Sequence, residues 1–360
     1  MRILITGATS FVGAAVCREL LRRGNEVYAL VRPNSGNTAR LPQHRRFYRV
    51  CGDMEDMEVL RRAAELLPPP EVCLHFAWAG IGVQGRMSPE IQEKNVRNTL
   101  SLLRFLGGLH CRRFLFAGSQ AEYGTTLERV RTGECDGMPV TEKALCRPIS
   151  EYGKGKCRVL REGAPAAEAL GMEYRHLRIF SVYGEGDHEG SLVSSCVNAA
   201  AAGKEIRLGP CAQQWNFLHV RDCARAISDV AMLESSVLHA GSEAYNIGSV
   251  DTRPLKDFVR EIFAAAERLR REEALCGEVP GAEMLCGGEL TESNEHSAGA
   301  GHYLFEEKAA GPEGTPYLSP DISKLCSATG WREELSFSEG ISELLRVRIK
   351  SGRQRTALSR

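Results

Sequence analysis

Tyr152 and Lys156 stand four residues apart in SEYGKGK, at the start of a predicted helix over 150–171, so their side chains share one face. A lysine charge beside a phenol favours the phenolate and is expected to bring Tyr152 below its usual value of about 10. Such a phenol is what hydride transfer to a carbonyl needs, because the oxygen must gain a proton as the carbon gains the hydride. Ser119 closes the apolar run RFLFAGS, where a hydroxyl could bind and orient that carbonyl. Taken alone, Y-x-x-x-K is more often a surface pair, and a serine at a strand end more often a turn or cap. Their order behind a glycine turn and the loop GSQAEYG is what gives them weight.

That turn is TGATSFVG. It follows the first apolar run directly and opens a helix, so Gly7 and Gly13, with Ser10, Phe11 and Val12 between them, sit where a backbone closes on a pyrophosphate and helix amides face it. Ser10 occupies the place where a middle glycine is commoner, which puts the backbone geometry of the turn in question. An acidic residue at the end of the second strand would bind the ribose hydroxyls of NAD; Val31, Arg32, Pro33, Asn34 and Ser35 stand there instead. The guanidinium of Arg32 suits a 2′-phosphate, so NADP is expected, with NAD as the alternative.

Placing these groups requires strands that end at one edge. The runs RILIT, EVYALV, VCLHFA, RFLFAGS and YRHLRIF alternate with helical stretches at 12–23, 54–67, 88–109 and 150–171. That alternation predicts an α/β fold, a Rossmann-type doubly wound parallel sheet, and the remaining length is expected to form a smaller carboxy-terminal substrate-binding domain. The expected boundaries are 1–182 for the dinucleotide domain, with about 212–245 returning to it. The substrate-binding part takes 183–211 and 246–350, with helices near 191–202 and 254–272 and an irregular insertion near 271–315, and 351–360 forms a tail. Asp321 is expected to cap a late helix, and a last helix is expected near 336–349.

Composition excludes several classes. Lys+Arg and Asp+Glu both total 46, so no net field draws nucleic acid or an anionic membrane. No uncharged apolar run reaches the roughly 18 residues of a spanning helix, and the amino terminus lacks a secretory pattern. Thirteen cysteines, mostly in apolar segments as at Cys73 and Cys223, are expected as reduced thiols in a cytoplasmic protein. Cys276, Cys286, His296 and His302 share a region without ligand spacing, so no metal is expected.

With these motifs in place, the chain resembles the extended short-chain dehydrogenases/reductases, also called the NAD-dependent epimerase/dehydratase family, which act mostly on nucleotide sugars. The resemblance runs over about 1–250 through TGATSFVG, CGDM, HFAWAG, GSQAEYG, YGKGK, RIFSVYG, FLHVRDCARAI and YNIGS, and over 316–345 through PDISK, GW and SFSEGI. It implies that Asp53 and Met54 flank the adenine, that Ala77 lines the cofactor channel, and that Asn95 supports an active-site water and backbone. Lys156 would also hold the nicotinamide ribose. It further implies a substrate seated between the sheet edge and the smaller domain, with Trp78, Arg86, Gln120 and Trp215 as candidate contacts. A homodimer through 88–109 and 150–171 is also implied; the stripe Leu100, Leu103 and Leu106 could serve that contact or pack on the sheet.

Two departures narrow the implied activity. Dehydratases carry an Asp-Glu pair after the hydroxyl residue, which elimination of water needs as acid and base; Gln120 and Ala121 stand there. Many epimerases have an arginine before FLHV to clamp a diphosphate; Trp215 and Asn216 stand there, leaving Arg86, Arg207 or Arg221 to replace it. HFAWAG with Arg86, Gln92 and Asn95, together with GSQAEYG, looks most like the bacterial branch that reduces nucleotide-linked 4-keto-deoxysugars for surface polysaccharide synthesis. The alternatives are a 4-epimerase with tightly bound NAD and a non-catalytic NADP-sensing regulator.

Overall fold

The computed structural model describes residues 1–135, 138–234, 242–277, 301–307 and 311–358. Chain order is β1 (Arg2–Thr6), α1 (Phe11–Arg22), β2 (Glu26–Val31), β3 (Phe47–Cys51), α2 (Met57–Leu66), β4 (Val72–His75), α3 (Val83–Arg86), α4 (Pro89–Gly108), β5 (Arg113–Ser119), α5 (Leu127–Arg131), α6 (Glu151–Ala169), β6 (Glu173–Ile179) and β7 (Ser181–Tyr183). There follow α7 (Leu192–Ala202), β8 (Glu205–Leu208), β9 (Gln214–His219), α8 (Val220–Met232), β10 (Ser242–Ile247), β11 (Thr252–Pro254), α9 (Leu255–Gly277), β12 (His302–Phe305), α10 (Ser323–Thr329) and α11 (Phe337–Leu358).

Contacts divide the chain into two units. The first comprises Met1–Val182, Gln213–Thr252 and Ala310–Glu334. Its sheet has seven strands in the order β10-β6-β5-β4-β1-β2-β3, every pair parallel. The strands β1, β4 and β5 are buried along nearly their whole length because both faces are covered. One cover is α1 with α8, whose Val16, Leu20, Ile227 and Val230 are buried beside Ile3, Ile5 and Leu74. The other includes α4 and α6, with Leu100, Leu103, Leu106 and Val159 among Leu4, Phe114 and Phe116. The leucine stripe of α4 therefore belongs to the core.

The edge strand β3 was not anticipated. Among its residues only Val50 is buried, so the run FYRVC lacks the apolar continuity that marks the inner strands; polar edges of this kind also discourage stray pairing.

The second unit comprises Tyr183–Ala212, Arg253–Ala309 and Leu335–Arg360. In it α7, α9 and α11 bury Val197, Phe258, Ile262, Ile341 and Leu345, and β12 pairs parallel with β8. Three expectations are corrected here. The helix expected over 254–272 runs on to Gly277, and His302–Phe305, read as insertion, is a strand whose alternating exposure suits a strand with one face covered. The segment 351–358, read as tail, continues α11, since Arg, Gln, Ala and Leu are good helix formers. Residues 278–300, with Cys286 and His296, lie outside the described residues, whereas His302 pairs with Glu205 at 2.8 Å. Asp321 caps as expected but from one residue earlier, its Oδ1 accepting from Ser323 N ahead of the cap position Ile322.

Candidate active site

Parallel strands deliver their carboxyl ends to one edge of the sheet, and reversal of strand order about β1 and β4 opens a crevice there. The β1–α1 turn lies at that edge. Gly7 takes φ +71°, and a Cβ on it would lie 2.6 Å from Ala77 N; only glycine lets the turn press against the end of β4. Ser10 does what the turn needs without being glycine. Its backbone is extended, and its Oγ accepts from Gly13 N at 3.1 Å, capping α1. A Cβ on Gly13 would run into the Gly7 carbonyl, while Phe11 and Val12 turn to the core.

No acidic side chain stands in the first turn of α1, so its amides suit an anion. Beside it, Ser35 donates to Thr9 Oγ1 at 3.1 Å, tying the turn to the loop after β2. On that loop Arg32 is exposed; its carbonyl accepts from Ser35 N, and its guanidinium has no hydrogen-bond or ion-pair partner among the described residues. Asp53, half-buried after β3, accepts from Glu55 N, and Met54 packs beside the cluster of Leu4 and Leu60. These groups fit a dinucleotide: a glycine cradle for the phosphates and a semi-apolar wall, with an exposed guanidinium alongside.

Across the crevice, Lys156 is buried at 3% exposure. Its Nζ donates to Ala117 O at 2.6 Å and lies 3.9 Å from the Trp78 ring centre and 5.4 Å from that of Tyr152. Burial brings the ammonium down to about 7, Glu122 opposing and the Arg86 charge assisting. Trp78 is fixed by donating Nε1–H to Gln92 Oε1 at 2.7 Å, and its ring meets Tyr152 edge-on. Asn95 accepts from Ala79 N and donates to Ala79 O, clasping the backbone after β4. His75, between Thr6 and Thr99, is lowered to about 3, chiefly by burial, and is neutral.

The expectation that Lys156 lowers the Tyr152 pKa is corrected. Burial pushes the Tyr152 phenol up, opposed by a hydrogen bond with Ser119 and by Arg86. The cation nearest the ring is the Arg86 guanidinium, 4.2 Å from its centre. Lys156 instead turns to the Ala117 carbonyl.

Ser119 begins a capping box: its Oγ accepts from Ala121 N, and Glu122 Oε1 accepts from Ser119 N at 2.8 Å. Glu122 is completely buried and also pairs with His176 and with Arg178 at 3.0 Å. Burial acts to raise its pKa but is outweighed by those partners, so the carboxyl lies below its ordinary range. Gln120 and Arg86 line a small cleft with Ile149 and Pro316. There Arg86 makes a two-pronged bond to Glu313, at 2.6 and 2.8 Å. Glu313 also engages Ser150, the cap of α6.

Trp215 packs instead with Tyr123, Phe180 and Leu318, its indole N–H buried without a partner among the described residues. Asn216 clasps Ser249 and Thr252. Arg207 pairs with Glu205 and Glu306 on the second unit's strands, and Arg221 N bonds to the His219 cap. Sequence reading missed Glu122 and Glu313. The first had a signal, the S-x-x-E box of SQAE; the second had none, since only the fold brings 313 beside 86.

A sequence model of the NAD dependent epimerase/dehydratase family matches residues 3–248. Among known proteins, the chain is 31% identical over 173 residues to a UDP-glucose 4-epimerase of Streptomyces lividans, covering 47% of this chain and 49% of that one; the match thus spans about half that relative's length. It is 28% identical to a dTDP-4-dehydro-6-deoxy-D-allose reductase of a Streptomyces species, covering 74% of this chain and 83% of that one. Its fold is similar to that of the solved Thermus thermophilus UDP-glucose 4-epimerase in complex with NAD, with TM-score 0.74 at 20% identity over 97% of this chain and 99% of that one. With its parallel sheet, glycine turn and family match over most of its length, the chain belongs to the NAD dependent epimerase/dehydratase family.

Proposed function

We propose that the chain is an NADPH-dependent reductase acting on the keto carbon of a nucleotide-linked 4-keto-deoxysugar. The observation that carries this reading is the meeting of Ser119, Tyr152 and Lys156 at the end of β5 with no free carboxylate among the described residues beside them. A bound nicotinamide supplies the hydride. Tyr152 gives its proton to the substrate oxygen, and Ser119 holds that oxygen through a hydrogen bond. Lys156 holds the ribose, and the Arg86 guanidinium over the Tyr152 ring eases loss of the phenolic proton. Gly7, Ser10, Phe11, Val12 and Gly13 form the phosphate turn, Arg32 takes a 2′-phosphate, and Asp53, Met54, Ala77 and Asn95 line the remaining cofactor path. Trp78, Arg86 and Gln120 face the sugar, with Trp215 as an outer contact.

Elimination of water is disfavoured, because Gln120 and Ala121 are not acid or base and both oxygens of Glu122 are committed to Ser119, His176 and Arg178. Reduction rather than epimerisation is favoured by the guanidinium of Arg32, which suits the 2′-phosphate of NADPH. The purified chain, given NADPH and nucleotide 4-keto-6-deoxyhexoses, is expected to consume NADPH in proportion to sugar reduced. No consumption with any of them would sink this reading. Similarity to UDP-glucose 4-epimerases supports a second, that of a 4-epimerase retaining NAD; copurified oxidised NAD with interconversion of two epimeric sugars and no net cofactor use would select it.

A further inference from the structure

Behind the candidate site, away from the groups that would touch substrate, three reactive atoms lie together: a carboxylate oxygen of Glu122 and the Sγ atoms of Cys146 and Cys157, all within 4.8 Å of one another. Cys157 follows Lys156 on α6, and Cys146 lies on the loop leading into that helix. The two Sγ atoms therefore face each other at no more than 4.8 Å. Arg178 Nη2 donates to Cys146 Sγ at 3.1 Å, and Cys157 Sγ donates to Glu122 O at 3.8 Å. Both residues are half-buried and line an open surface cleft with Gln92, Pro148 and Arg158, so a small reagent can reach the sulfurs.

The cluster is poorly suited to a metal. Both Glu122 oxygens are engaged by Ser119, His176 and Arg178, and a divalent cation at Cys146 would press against the Arg178 guanidinium, which deprotonation cannot neutralise. The same cation favours an anionic sulfur. Cys157 and Arg178 together hold the Cys146 thiol below its ordinary value against burial and Glu122, whereas the Cys157 thiol is raised by Cys146 and by burial. One sulfur is thus the nucleophile and its neighbour the resolving thiol.

We infer that Cys146 and Cys157 form a peroxide-reactive dithiol site that closes to an intramolecular disulfide. The Cys146 thiolate attacks one oxygen of a hydroperoxide; an S–O bond forms, the O–O bond breaks, and the leaving hydroxide or alkoxide takes a proton. Cys157 then attacks the sulfenic sulfur; the S–S bond forms, the S–O bond breaks, and the departing hydroxide takes the Cys157 proton as water. Two electrons pass from the sulfurs to the peroxide. Sulfur atoms already within 4.8 Å of each other need only close to about 2 Å. The bond would span Tyr152 and Lys156 in sequence and withdraw Cys146 from Arg178.

The test uses the full-length protein treated with hydrogen peroxide, alkylated under denaturing conditions without reductant and digested after Lys154 and Lys156, which separates the two cysteines. The expected result is a linked pair of peptides lighter by two hydrogens, released by dithiothreitol, with loss of both thiols from alkylation. In Cys157→Ser the reaction is expected to stop at a sulfenic acid on Cys146, trapped as a dimedone adduct, and in Cys146→Ser the thiol of Cys157 stays reduced. The inference is overturned if both wild-type thiols remain alkylatable, if Cys146 links elsewhere, or if dimedone marks Cys157 in Cys146→Ser. Because the readout is on sulfur, it is independent of the proposed reductase activity.

Discussion

A lysine brought down to about 7 by burial makes folding proton-linked at a single position. Between about 7 and its ordinary 10.5 the unfolded chain binds this proton and the folded chain does not, so the contribution of Lys156 to stability rises with pH across that window. It is greatest above 10.5 and is progressively lost as pH falls to about 7. Cofactor-free Lys156→Met should therefore lack part of the wild-type rise in Tm between pH 7 and 10; parallel melting curves would contradict this. At Arg32 the expected effect is on affinity: Arg32→Ala should raise the KM for NADPH about 10- to 100-fold, the worth of a charge-assisted bond of about 1.5–3 kcal/mol, with the KM for NADH nearly unchanged. Equal changes for both cofactors would remove Arg32 from the 2′-phosphate. The residues behind these expectations were legible because spacing and strand position carry their chemistry. The Tyr152 shift was not, since its sign is set by burial outweighing Ser119 and Arg86, a balance that a linear pattern does not contain.

Strand β6 and the turn after β5 hold the site through groups that never reach it. Glu122 ties Ser119 to His176 and Arg178 on β6, and Arg178 reaches on to Tyr123 and Cys146. Replacing Glu122 by alanine leaves a buried guanidinium without its partner, which costs on the order of 3–5 kcal/mol. Urea denaturation of Glu122→Ala should show a midpoint lowered accordingly; a loss under about 1 kcal/mol would mean the network contributes little. Inner strands and their helices were readable from apolar runs and helical periodicity. The strand β3 was not, because an edge strand with one buried side chain has no such run, and the ends of α9 and α11 were not, because polar helix formers resemble loop.

Across the whole molecule, all the candidate cofactor contacts belong to the first unit, so ligand occupancy should register as global stability of that unit. At 100 times its Kd, NADPH is expected to add about 2.7 kcal/mol, seen as a Tm rise larger than NADH gives at equal concentration; equal rises would point to NAD. That unit also takes in Ala310–Glu334 from far along the chain, where Leu127 N bonds to Thr315 O and Tyr317 N to Thr125 O. No local periodicity encodes such a return, which is why 271–315 read as insertion. Its product is the Arg86–Glu313 fork beside Tyr152. An anionic ligand arriving at Arg86 therefore performs an exchange: one ion pair opens as another closes, and the net electrostatic gain is small. Selectivity then rests on fit rather than on charge, and weakly matched anions are turned away by a competitor built into the chain. Glu313→Gln removes the competitor, and titration calorimetry should find simple anions such as pyrophosphate binding several-fold tighter to that variant than to the wild type.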